Sequence, residues 1–178
     1  MIAGNPFPEA DYDRWYIWQM LVTRDIEAFL SQDWAMVADD FINGQFTGID
    51  GCHSDNPDDW KFKFPDVEPY KVEWLKQAES FNKTEWAEDP EAALYRVTEL
   101  LDIEINNNAA LVHKKFRGNM ARADGQKTTF NWQSLYYCRE VNGIWKITGF
   151  TGYIPLVEDS AKFSSSAGKQ VPENSSQH

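Results

Sequence analysis

From Leu94 to Pro155 the chain is built of four apolar–polar alternating runs, and everything before them reads as helices that need a sheet to pack on. The runs are Leu94–Asn106, Ala110–Arg122, Lys127–Val141 and Ile144–Ile154. Asn106-Asn107-Asn108, Ala123-Asp124-Gly125 and Asn142-Gly143 separate them. Each separator is a turn-forming cluster, so the stretch predicts an antiparallel meander. Asn142-Gly143 constrains most, because a two-residue type I′ hairpin needs positive φ at both positions. Val141 must then pair with Ile144.

Turn lengths decide which side chains share a face, since a strand alternates sides at every residue. The Asn142-Gly143 hairpin collects Trp132, Ser134, Tyr136, Cys138, Trp145, Ile147 and Thr151 on the core face. It sends Leu135, Tyr137, Lys146 and Phe150 to the other. A three-residue loop at Ala123-Asp124-Gly125, with Gly125 left-handed, adds Val112, Lys114, Phe116, Gly118 and Met120 to the core face. A two- or four-residue loop there would instead turn His113 and Arg117 inward. On the first strand the same alternation places Tyr95, Val97, Leu101, Ile103 and Ile105 inside, with Thr98 outside. It also places Glu99 inside, facing Lys114. Two inward charges must be paired or must form the polar floor of a pocket.

Before the sheet, Trp15, Trp18, Val22, Ile26 and Phe29 recur at three- and four-residue steps and predict an amphipathic helix starting after Asp11 or Asp13. Ser31-Gln32-Asp33 ends it and caps a shorter helix through Trp34, Val37 and Phe41. Gln45–Asp50 reads as a short strand and Asp50–Pro65 as a loop. A third helix spans about Asp66 to Asn82, with Pro69 in its first turn. Thr84 to Ala93 leads into the sheet. Residues 1–11 read as an irregular lead-in, 12–157 as one domain, and 158–178 as a flexible polar tail.

The chain of 178 residues carries 17 basic and 28 acidic side chains, a net charge of −11. That argues against nucleic acid or an anionic membrane as partner. Its 8 Trp, 7 Tyr and 11 Phe point to a bulky core, an aromatic-lined pocket or an interface. Cys52 and Cys138 are too far apart in context to form a framework, which fits a reducing compartment. No signal-peptide pattern opens the sequence and no apolar run could span a bilayer, so a cytoplasmic location is expected.

Other clusters carry weaker chemistry. Asp39-Asp40 could pair as carboxylates but suits an exposed or capping position better. Asp50, Cys52 and His53 lack a second histidine at metal spacing, and Asp55, Asp58 and Asp59 lack the rest of a calcium loop, so no metal is expected. His113 reads as an outward strand residue.

Asp33-Trp34 at the helix break, Ala38-Asp39-Asp40-Phe41, and Asn142-Gly143-Ile144-Trp145-Lys146-Ile147 together resemble recurrent signatures of the NTF2-like (SnoaL-like) superfamily. The resemblance spans roughly Tyr12 to Leu156. It implies an α+β cone, a curved antiparallel sheet wrapped around three N-terminal helices, with an open-ended cavity and often a homodimer formed through the outer sheet face. Its members include cofactor-independent isomerases, dehydratases and cyclases alongside non-catalytic binding proteins. No catalytic set of the superfamily matches residue by residue. The expectation is a cavity for a small, largely apolar molecule, with no cofactor. Glu99 would move a proton and Tyr136 would polarise an oxygen, with Lys114, Ser134, Trp132 and Phe116 in contact with the ligand. The alternative is an assembly module acting through the outer face of the sheet.

Overall fold

The computed structural model describes residues 4–157; the expected polar tail lies outside them. Residues 4–11 form turns. The first helix follows in three continuous stretches: α1 (Tyr12–Trp18), a π-helical turn (Gln19–Arg24) and α2 (Asp25–Ser31). A left-handed Gln32 ends it, and the Asp33 carboxylate accepts from the Ala35 amide. The expected short helix is two 3-10 turns, Trp34–Met36 and Ala38–Asp40, because Val37 lies between them at φ −119° and ψ −4°. Trp34 and Phe41 stack across this corner at 5.0 Å.

β1 (Thr47–Asp50) and β2 (Lys61–Phe64) come next; β2 occupies part of the expected loop. α3 (Val67–Lys83) is capped by Asp66, whose side chain accepts from the Val67 amide. α4 (Pro90–Val97) replaces the first four residues of the expected strand. Asp89 accepts from the Ala92 amide and Pro90 opens the helix, both ordinary start signals. β3 (Thr98–Asn106), β4 (Ala109–Ala121), β5 (Lys127–Val141) and β6 (Ile144–Pro155) then form the meander.

The six strands make one curved sheet in the order β2-β1-β6-β5-β4-β3. It is mixed rather than wholly antiparallel, because β1 runs parallel to β6. Both decisive turns are as expected. Asn142 and Gly143 have φ of 53° and 79°, and Val141 pairs with Ile144. At the other, Gly125 has φ 83° and Ala121 pairs with Lys127. Lys114 therefore sits opposite Ser134, and Phe116 opposite Trp132, on the face that meets the helices.

Three bulges overturn part of the face assignment. On β3 the register shifts between Leu100 and Asp102, so Leu101 is extra and lies exposed. The inward residues are Thr98 and Leu100 before it and Ile103 after it. Glu99, expected inside, projects to the outer face beside Lys115 at 3.9 Å, with 46% of its side chain exposed. On β6, Thr148 is extra between the Cys138–Ile147 and Tyr137–Gly149 pairs. That rephasing brings Phe150 into the core and moves Thr151 to the outer face, where its hydroxyl meets the Tyr137 hydroxyl at 2.8 Å. A second β6 shift centres on Tyr153, left-handed at φ 57°. Bulges of this kind bend a strand and re-aim its side chains.

Asp40 does not stand at the exposed position expected of it. It is buried, and Arg24 clamps it through two hydrogen bonds of 2.9 Å each. Burial raises its pKa, with the Arg24 guanidinium opposing. It is a structural ion pair.

Candidate functional site

Between the helices and the inner sheet face lies a cavity of about 450 Å³. α2, α3 and α4 wall one side; β3 to β6 wall the other. Aromatic rings dominate the lining. Phe116, Trp132 and Phe130 form a stacked row on the sheet, with centroids 4.9 and 5.1 Å apart, and Trp74, Phe81 and Trp86 face the cavity from α3 and the chain beyond it. Ser80 and Thr84 belong both to this lining and to an open surface groove.

Only two of the described lining residues carry charge, Asp25 and Lys114. Lys114 projects from the middle of β4 and is 1% exposed. Its ammonium donates to the Leu21 carbonyl at 2.5 Å and to Asp25 Oδ2 at 3.2 Å. The rings of Phe116 and Tyr136 lie 5.1 and 5.9 Å from Nζ, so π faces complete its surroundings. Trp74 Nε1 donates to the other carboxylate oxygen, Asp25 Oδ1, at 3.3 Å. Asp25 keeps 35% of its side chain open while its partner is closed off.

The π turn accounts for this local arrangement. It adds a residue relative to α geometry, rephasing the helix by about 100°, and such turns recur at functional sites. Asp25 is the first residue after the turn, and Leu21, whose carbonyl Lys114 takes, lies within it.

Neutral polar groups surround the pair. Burial holds the Tyr70 and Tyr136 hydroxyls well above the usual phenol range, so both stay protonated as donors. Burial likewise pushes Tyr153 up to about 12. Its hydroxyl shares hydrogen bonds of 3.1 and 3.2 Å with the Gln77 amide. Ser134 Oγ accepts from the Tyr153 amide at the β6 bulge, at 3.4 Å.

Five of the six residues singled out from sequence line the cavity: Lys114, Phe116, Trp132, Ser134 and Tyr136. Glu99 does not: it lies on the outer face beside Lys115, so it is no carboxylate of the cavity. Sequence reasoning missed Asp25, Tyr70, Trp74, Gln77, Phe150 and Tyr153 as a set. One signal for Asp25 was present: it stands four residues from both Leu21 and Phe29, a carboxylate within the apolar stripe.

Solved structures supply the comparison. A protein of unknown function from Pseudomonas putida, described as NTF2-like, superposes with a TM-score of 0.52 at 14% identity, covering 86% of this chain and 92% of that one. The fold is NTF2-like. A candidate dehydratase of the NTF2-like family from Streptomyces avermitilis gives a TM-score of 0.54 at 12% identity, covering 84% and 99%. A domain of unknown function from Nostoc punctiforme, described as cystatin-like in fold, gives 0.54 at 14%, covering 90% and 86%. At these identities the likeness carries the NTF2-like fold and no activity. No family sequence model matches the chain, and no curated protein matches it in sequence.

Proposed function

We propose that this NTF2-like protein binds a small, largely apolar molecule in its cone cavity, with the Asp25–Lys114 pair at the polar end. The observation that carries the reading is the cavity itself: about 450 Å³, walled by aromatic rings, with a single ion pair among its described lining. Ligand pockets of this size are mostly apolar with a few fixed polar groups. Phe116 and Trp132 would hold the body of the ligand, and Tyr136 and Ser134 would supply hydrogen bonds. If the bound molecule reacts, the chemistry is cofactor-independent proton transfer of the isomerase, dehydratase or cyclase kind. Asp25 then takes the proton, since it is the carboxylate open to the cavity. The description of the Streptomyces avermitilis neighbour as a candidate dehydratase agrees with that class without assigning it.

The test is a titration with Nile red, a neutral dye that brightens in apolar surroundings. Saturable one-to-one enhancement is expected, and Thr98→Trp, which fills the cavity from β3, should abolish it. Enhancement that never saturates, or that survives Thr98→Trp, overturns the reading.

A homodimer through the outer sheet face belongs to the same proposal. Leu111 and Tyr137 are cross-strand neighbours there, 42% and 38% exposed. Light scattering should give twice the chain mass at micromolar concentration; a monomer contradicts it. Of the described residues, no helix is long and apolar enough to cross a membrane. A cytoplasmic location is in keeping with Cys52 and Cys138, both of which are free thiols.

A further inference from the structure

We infer that the cavity selects neutral ligands bearing a hydrogen-bond donor, such as an apolar alcohol, over acids and amines of the same shape. This rests on the binding reading above and adds the charge class of the ligand.

Asp25 has acceptor capacity to spare, and Lys114 has no donor capacity left. A carboxylate offers about four acceptor positions. Lys114 Nζ occupies one on Oδ2 and Trp74 Nε1 one on Oδ1, at 3.2 and 3.3 Å. No other donor among the described residues fills the rest, and 35% of the Asp25 side chain stays open. Lys114 has no comparable freedom: its ammonium is engaged by Leu21 and Asp25, flanked by two rings, and 1% exposed. The hand extended to a ligand is therefore an acceptor. An anionic head would meet the Asp25 carboxylate and find the compensating ammonium closed off. A cationic head would find Lys114 already beside the same carboxylate. Either ion leaves an uncompensated charge in a cavity walled by rings, which is strongly disfavoured. A hydroxyl donates to Asp25 and leaves the pair neutral. Hydrogen bonds to charged groups are the stronger class, so this head should raise affinity by roughly tenfold.

The experiment is calorimetric titration with one bicyclic body carrying four heads: 2-methylnaphthalene, 2-naphthylmethanol, 2-naphthoate and 2-naphthylmethylamine, the last cationic at neutral pH. The alcohol is expected to bind roughly tenfold more tightly than the hydrocarbon, and both ions more weakly than the alcohol. In Asp25→Asn the ammonium loses its counter-charge, so the preference should reverse toward 2-naphthoate. Should that variant fail to fold, the wild-type ranking decides alone. Equal affinities for the four heads, or an ion binding most tightly, overturn the inference and leave the binding reading standing. If none of the four binds, this inference falls, and the Nile red titration decides the binding reading separately.

Discussion

Lys114 is the residue on which the polar end of the cavity depends, because it reaches a helix carbonyl and a carboxylate from the middle of a strand. Replacing it with Met keeps the packing volume but strands Asp25 among aromatic rings. Breaking a fully buried pair costs roughly 3–5 kcal/mol; with Asp25 a third open, Lys114→Met should cost about 2 kcal/mol in urea unfolding. Glu99→Gln is the contrasting substitution. It removes only an exposed contact to Lys115, so stability should stay within about 0.5 kcal/mol and Nile red binding should not change. A third residue sets an alkaline limit. Burial pushes the Cys138 thiol from 9.0 up to about 12. Between those values the unfolded chain has lost the proton and the folded chain retains it, so stability falls as pH rises. The fall approaches about 1.4 kcal/mol per pH unit for this group. Tyr153, raised from 10.0 to about 12, adds the same sign from a higher pH. Urea midpoints from pH 8 to 11 should therefore drop in the wild type, and the drop should begin about one unit later in Cys138→Ala.

At the scale of elements, the glycines separate turn conformation from close packing. A Cβ on Gly125 would meet nothing within 4 Å, so Gly125→Ala is opposed only by its φ of 83°, at about 1 kcal/mol. A Cβ on Gly149 would lie 2.4 Å from the Thr47 carbonyl oxygen, where β1 runs beside β6. Gly149→Ala should force those strands apart at about 3 kcal/mol, read as the difference between the two variants in urea. These same elements show where the sequence was legible. Asn142-Gly143 and Ala123-Asp124-Gly125 announce their turns by residue type, and both registers follow from them. That is why Lys114, Phe116, Trp132, Ser134 and Tyr136 were placed together. Leu101 and Thr148 announce nothing: an extra residue in a strand is set by how neighbouring strands twist over the helices, not by its own chemistry. Each bulge reversed the alternation around it, and so Glu99 and Thr151 were placed inside and Phe150 outside. The π turn was equally silent, although Asp25 within an apolar stripe was a visible oddity.

For the whole molecule, the NTF2-like cone explains why a chain of 178 residues can keep an internal space and still bury a core. The sheet is bent by its bulges, the first helix and α3 cover it, and the ion pair fastens helix to sheet beside the cavity. A net charge of −11 keeps the exterior acidic while the described cavity lining is neutral in sum. The most direct test is a crystal structure grown with saturating 2-naphthylmethanol. The ring system should lie among Phe116, Trp132 and Phe150, with its hydroxyl about 2.7 Å from an Asp25 oxygen. An empty cavity, or the alcohol bound on the outer face of the sheet, would contradict the account.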